Sequence, residues 1–192
     1  MSCTGEKVIE NWKTFAEAIN AIGGDVQALS ISKPACPKNI QHVEGEIGGF
    51  LPASFKDVLL NFSSKVEFRW VLPKSSQFQG ELEQIFSCEC YWSLEQMIEL
   101  NKSKSRWVEE CFSDAKDPYD AIWHETLVFH EVGNGDYLAI DLKAPNRQPV
   151  VYLSHDDGDG HGVELAENFQ EFVFTTSRIG CVGAEDWQML WV

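Results

Sequence analysis

The chain has 192 residues, of which 44% are hydrophobic and 12% aromatic, so it can bury the core of one globular domain, and global disorder is excluded. Its 30 acidic against 15 basic residues give a formal net charge of −15, which repels nucleic-acid phosphates and anionic lipids and attracts a basic partner. The sequence opens without a secretory h-region and has no apolar run long enough to span a bilayer, so we expect a cytoplasmic protein that does not bind membranes.

The first third of the chain has mainly helical periodicity. Apolar residues recur at three- and four-residue steps over residues 8–22, and two glycines end that pattern. Residues 25–38 contain two prolines and predict an irregular connection. A second helix is predicted from Ile40, and a pair of glycines separates it from a third helix that starts near Pro52.

The middle of the chain predicts two strands and a further helix. Residues 66–72 alternate in polarity and place Trp70 on the apolar side of a strand. A further short strand is predicted within residues 84–92. Ser93 has the position of an N-cap for the helix that follows, whose apolar pattern is interrupted at residues 101–105, where we expect a break.

The C-terminal part predicts three strands, at residues 126–132, 136–142 and 149–154. A Gly-Asn-Gly turn joins the first two, and such turns are typical of tight hairpins. Short links between consecutive strands predict an antiparallel sheet. A Gly- and Asp-rich loop then leads to a helix capped by Asn168, and a short amphipathic segment is predicted at residues 185–191.

This order of elements predicts an α+β fold, with a mainly antiparallel sheet flanked by N-terminal and C-terminal helices. We expect a single domain over residues 1–192.

One loop concentrates residue types that bind metals. Its members are His155, Asp156, Asp157, Asp159 and His161. Carboxylates this close repel one another unless they are solvated, protonated or bridged by a cation. A calcium loop that started at Asp157 would have Asn168, and not a bidentate Glu, at its last ligand position. We therefore predict a solvated turn with no metal and no cofactor, and keep as an alternative a metal-dependent hydrolase built on the His155 to His161 cluster.

The sequence contains no recognisable catalytic motif. His124 and His130 are each followed by Glu, but neither has the second His that a zinc-protease helix requires. A nucleophile elbow and a phosphate-binding glycine loop are also absent from the sequence. We predict that the protein is not an enzyme.

Acidic residues are concentrated in the second half of the chain. Residues 107–142 hold nine Asp and Glu against one Lys, and residues 148–177 hold six with no Lys or Arg. This segregation predicts a negative face for a basic partner, although a merely solvated acidic face fits the pattern equally well. The candidate partner-binding residues are Trp70, Glu131, Asp136, Tyr137, Asp141, Asp156, Asp157 and Asp159. Trp70 and Tyr137 are expected to act as apolar anchors for the partner. As an alternative to partner binding, Asp136 could have a structural role in the turn and Asp141 at the end of a strand.

Three segments carry a family resemblance. Residues 40–59 combine a helix, a Leu51-Pro52 break and a second helix. Residues 133–141 contain a Gly-Asp pair and a later Asp, and residues 149–173 combine a strand, an acidic loop and a closing helix. In order and spacing these segments resemble the SUKH superfamily, specifically the Smi/Knr-type domain of bacterial toxin-immunity proteins and fungal cell-wall regulators. The resemblance implies a domain core at about residues 40–173, within which residues 73–121 form a longer, insert-like region.

The resemblance implies a cytosolic protein that binds a partner and is not an enzyme. In bacteria such proteins usually neutralise a cognate secreted toxin, often a nuclease, by direct binding. The first hypothesis is therefore an immunity protein whose acidic face meets a cationic toxin. The alternative is an intracellular regulatory scaffold like the fungal relatives, which carry long disordered flanks that this sequence lacks.

Overall fold

The computed structural model describes residues 3–80, 83, 85–143, 146–156 and 160–181. In chain order its elements are α1 (Cys3–Ala21), β1 (Asp25–Ile31), α2 (Pro37–Ile47), α3 (Ala53–Asn61), β2 (Lys65–Val71), β3 (Ser87–Ser93), α4 (Met97–Glu110), α5 (Asp120–His124), β4 (Thr126–Glu131), β5 (Tyr137–Asp141), β6 (Val150–Leu153), β7 (Glu164–Ala166) and α6 (Phe169–Arg178). The predicted α+β fold with antiparallel strands is confirmed. The strands form two sheets and not one, in the orders β1-β2-β3 and β4-β5-β6-β7.

One aromatic core joins the two sheets. Trp12 of α1 lies 6.2 Å, between ring centroids, from both Phe68 of β2 and Trp92 of β3. Phe169 of α6 contacts Trp92 at 5.5 Å and Phe129 of β4 at 5.0 Å, so aromatic contacts run without interruption from one sheet to the other. Aromatic side chains bury large apolar areas, and this core is the main stabilising element of the fold.

The predicted irregular connection at residues 25–38 was wrong in its first half. β1 pairs antiparallel with β2, from Asp25 opposite Val71 to Ile31 opposite Val66. Most β1 side chains are exposed or half-buried because the strand lies at the edge of its sheet. Backbone hydrogen bonds to β2 hold β1 in place. Because these bonds do not depend on side-chain type, β1 needs no periodic apolar pattern that the sequence could reveal.

The region at residues 73–121 contains two elements that are integral to the packing. β3 pairs with β2 along its whole length, and α4 packs against β4. Ser93 is the last residue of β3, so α4 begins at Met97 and not directly after Ser93.

The predicted break in α4 was also wrong, because the polar residues there satisfy buried backbone groups. Asn101 accepts a hydrogen bond from the Val128 N–H at 3.0 Å and donates to the Val128 carbonyl at 2.8 Å. β4 lies at the edge of its sheet, so Asn101 replaces a neighbouring strand at that point. The buried Lys104 donates to the carbonyls of Trp123 and Thr126, and burial lowers the pKa of its ammonium group.

Both faces of the second sheet are covered, which explains its nearly continuous burial. Leu127 and Phe129 of β4 face the main core. Val128 and Tyr137 face a smaller cluster around Trp123, against which α4 and α5 pack. β7, with three residues in an irregular pairing to β6, was not predicted.

The C-terminal helix confirms its predicted start, since the Asn168 side chain accepts a hydrogen bond from the Glu171 N–H at 3.0 Å. The segment predicted at residues 185–191 lies outside the described residues. Among the described helices, none combines the length and apolarity needed to cross a bilayer.

Replacing Asn101 with Ala should lower the free energy of unfolding by about 2 kcal/mol, because two buried backbone groups of Val128 lose their partners. Urea unfolding followed by circular dichroism measures this change. Lys102→Ala, at an exposed position of the same helix, serves as the control and should cost less than about 0.5 kcal/mol. Equal effects of the two substitutions would contradict the assignment of Asn101 as the cover of the β4 edge.

Candidate partner-binding surface

An open acidic groove lies beside the loop that connects α4 to α5. Its volume is about 490 Å³, and it is lined by Cys111, Phe112, Asp114, Asp117, Tyr119, Asp120 and His155. Asp117 accepts a hydrogen bond from the Tyr119 N–H at 2.8 Å, and Asp120 accepts one from the Asp114 N–H at 3.0 Å. These bonds order the loop. We call this surface, together with the neighbouring Asp156, the aspartate groove.

The aspartate groove carries little compensating charge. Asp114, Asp117 and Asp156 are exposed, and Lys116 is the one Lys or Arg in the sequence between positions 107 and 142. This acidic excess is visible in the sequence, but Asp114, Asp117 and Asp120 were not among the predicted partner-binding residues. Their clustering depends on the turn before α5, which their own side chains form.

Asp136 is buried and fully engaged inside the protein. Its Oδ1 accepts a hydrogen bond from the His155 N–H at 2.8 Å and lies 2.6 Å from His155 Nδ1. Its Oδ2 accepts hydrogen bonds from Asn134 Nδ2 at 2.7 Å and from the Tyr152 hydroxyl. Burial alone would raise the pKa of Asp136, but these hydrogen bonds outweigh burial and hold the pKa below its ordinary value. Asp136 thus joins the β4–β5 turn to the start of the acidic loop.

The remaining predicted acidic residues divide between surface and loop. Glu131 is exposed at the end of β4, and Asp156 is exposed, with its Oδ1 accepting a hydrogen bond from Ser154 Oγ at 2.8 Å. Asp141 is half-buried and accepts a hydrogen bond from the Lys143 N–H at 2.8 Å. Asp157 and Asp159 lie outside the described residues.

The two predicted aromatic anchors are buried. Trp70 has no exposed surface, and its indole N–H donates to the Gly180 carbonyl at 2.6 Å. Tyr137 is 2% exposed and packs edge-to-face against Trp123. In this structure neither ring is available to a partner, so the expectation of surface anchors is corrected: both belong to the apolar side of a strand that is covered by other elements.

The geometry gives little support to a metal centre on the acidic loop. Asp136, His155 and Asp156 have ligand atoms within 4.8 Å of one another. However, a cation would have to displace the hydrogen bonds that already occupy both oxygens of Asp136. His161 accepts a hydrogen bond from the Ser154 N–H through Nδ1, and its Nε2 lies 3.0 Å from the Tyr119 carbonyl. Both its ring nitrogens are therefore committed to the backbone.

A second groove, of about 450 Å³, lies where the two sheets meet. It is lined by Lys65, Glu67, Glu89, Tyr91, Gln96, Leu100, His130, Glu131 and Val132. Lys65 pairs with Glu67 at 3.2 Å and lies 5.6 Å from the centroid of the Tyr91 ring. We call this surface the glutamate groove. Its lining residues on β2 and β3 become neighbours when the two strands pair, and the sequence does not reveal that pairing.

His130 lies at the inner side of the glutamate groove and is 3% exposed. Among the described residues, neither of its ring nitrogens has a hydrogen-bond partner. Burial lowers the pKa of His130 to about 4, so the imidazole is neutral at pH 7.

Replacing Asp136 with Asn should lower the free energy of unfolding by about 1–3 kcal/mol, because an amide oxygen cannot replace all the accepting positions of the carboxylate. Chemical denaturation measures the loss. The matched control is Asp141→Asn, since that half-buried carboxylate accepts one backbone hydrogen bond. If the control costs as much as Asp136→Asn, the Asp136 network is not the anchor of this loop.

The buried His130 should make stability depend on pH. Its folded pKa of about 4 lies below the unfolded value near 6.5, so as the pH falls through that window the unfolded chain gains the proton first and stability decreases. Between pH 7.5 and 5 we expect a loss of about 2 kcal/mol that His130→Leu removes. Urea unfolding at both pH values measures it. His42→Gln, at an exposed site, should retain the wild-type dependence. An unchanged pH dependence in His130→Leu would contradict this assignment.

Comparison with known proteins agrees with the fold. The model of the SMI1 / KNR4 family (SUKH-1) matches residues 34–175, a region that includes the lining of both grooves. No curated protein matches the chain. α1 and β1 precede the matched region and complete the aromatic core and the edge of the first sheet. The resemblance inferred from the sequence is confirmed: the chain belongs to the SMI1/KNR4 (SUKH-1) family.

Proposed function

We propose that this protein is an immunity protein that neutralises a cationic, nuclease-type toxin by binding it directly through an acidic face. The observation that carries the proposal is the aspartate groove, where Asp114, Asp117, Asp120 and Asp156 gather with little basic compensation. A nuclease presents a basic surface to the phosphates of its substrate, and a set of fixed carboxylates complements the same surface.

The internal organisation of the acidic loop supports binding rather than catalysis. The buried Asp136 fixes the start of the loop through His155, and the Tyr119 hydroxyl fixes the opposite wall by donating a hydrogen bond to the Ser154 carbonyl. A preorganised surface loses less conformational entropy on association than a mobile one. The two ends of the loop, and with them Asp156, are therefore held in a defined arrangement by bonds within the protein.

Membership of the family supports a domain that binds other proteins, and the charge distribution favours a basic partner. The toxin is expected among the proteins encoded beside this gene. Partner binding in the cytoplasm and the absence of enzymatic activity are parts of the same proposal.

The test is co-expression with each neighbouring gene product, followed by measurement of affinity and of residual toxin activity. The variant Asp114→Asn, Asp117→Asn, Asp120→Asn and Asp156→Asn keeps side-chain size while removing the charge of the aspartate groove. We expect it to weaken binding at least about 100-fold, since charge pairs across interfaces couple by more than about 1.5 kcal/mol each.

The matched control removes four exposed carboxylates elsewhere, by Glu6→Gln, Glu17→Gln, Asp25→Asn and Glu46→Gln. It has the same net charge and should bind within about threefold of the wild type. Equal weakening of both variants would show that only net charge matters, which contradicts a specific face. If no neighbouring product is bound or neutralised, the immunity role is wrong.

A further inference from the structure

The glutamate groove is a second acidic surface and shares no lining residue with the aspartate groove. Three carboxylates, those of Glu67, Glu89 and Glu131, face one ammonium group, that of Lys65. Burial raises the pKa of Glu89; the opposite Arg69 lowers it and the neighbouring Glu67 raises it further. The carboxylates that line the groove therefore outnumber its single ammonium group, although burial disfavours the charged form of Glu89.

His130 provides an independent sign that the groove is built for a ligand. The ring is buried beside Tyr91, with 5.8 Å between the ring centroids, and its nitrogens have no partner in the described part of the chain. Buried polar atoms are nearly always hydrogen-bonded in native proteins. A neutral imidazole offers one accepting nitrogen, which suits a ligand that donates N–H groups.

Lys65 indicates what kind of ligand fits. Its ammonium group lies over the face of Tyr91 while it pairs with Glu67, so the aromatic ring and the carboxylate already accept a cation together. The Lys65 side chain is 39% exposed and can move away into water. It occupies the position that a cation from outside would take.

We propose that the glutamate groove receives an arginine side chain of the protein partner, with its guanidinium stacked on Tyr91 and hydrogen-bonded to the groove carboxylates and to His130. A guanidinium is planar, stacks on aromatic rings and carries several N–H donors that reach separate acceptors at once. A metal ion fits less well, because among the described residues these glutamates do not form a set close enough to share one ion. The inference rests on the proposed binding function and assigns one contact of the partner.

The proposal is tested with N-acetyl-arginine amide as the probe and N-acetyl-citrulline amide as its uncharged counterpart. Titration is followed by ¹H–¹⁵N NMR of the full chain. We expect saturable shifts centred on residues 89–91 and 130–132 with the arginine probe, and none with the citrulline probe. Shifts spread over all acidic surfaces, or equal shifts with both probes, would overturn the proposal.

Two variants sharpen the test in opposite directions. Glu89→Gln should weaken binding of the arginine probe by about fivefold or more, and Lys65→Gln should strengthen it by about threefold or more because the competing ammonium is removed. Glu125→Gln, an exposed position outside the groove, changes net charge as Glu89→Gln does and should have no effect. If the groove has only a structural role, Lys65→Gln should not bind the arginine probe more tightly than the wild type. That result would contradict the proposal.

The outcome separates this inference from the proposed function. If a neighbouring toxin is neutralised while the arginine probe does not bind the groove, the immunity role stands and the arginine pocket is wrong. If the probe binds as expected but no neighbouring product is neutralised, the pocket stands and the immunity role is wrong.

Discussion

Self-repulsion among the surface carboxylates is the constraint that the rest of the structure has to overcome. A formal net charge of −15 on 192 residues lowers the stability of any compact state. The aromatic core offsets that cost, with Trp12, Trp70 and Trp92 fully buried between α1, α6 and the first sheet. Because apolar packing and not ion pairing stabilises the fold, surface carboxylates can remain without a basic partner.

Burial divides the acidic residues into two kinds. Asp136 is buried, and its oxygens accept hydrogen bonds that fix the β4–β5 turn and the beginning of the acidic loop at His155. Asp114 and Asp117 are exposed and Asp120 is half-buried, and the hydrogen bonds of all three order the backbone of their loop. The same residue type therefore stabilises the scaffold in one place and forms the proposed binding surface in another, and the degree of burial separates the two roles.

Local features of the sequence predicted local structure well. The alternation in β2, the turn between β4 and β5 and the cap at Asn168 each depend on neighbouring residues. Features that depend on distant pairing were missed: β1 is held by backbone bonds to β2, and Asn101 interrupts a helical pattern in order to cover Val128. Trp70 was placed correctly on the apolar side of its strand, but its cover by Gly180 and α1 lies far away in sequence. The glutamate groove was missed for the same reason, since Glu67 and Glu89 become neighbours only when β2 pairs with β3.

The central claim is that this protein works through carboxylates on its surface. The most direct measurement is the association rate constant and affinity for the proposed toxin partner between about 50 and 500 mM NaCl. Screening shortens the range of exposed charges to a few ångströms at high salt, so we predict a steep fall in association rate and a weaker complex. An association rate that does not change with salt would contradict the claim, because it would mean that apolar contact, and not charge, brings the two proteins together.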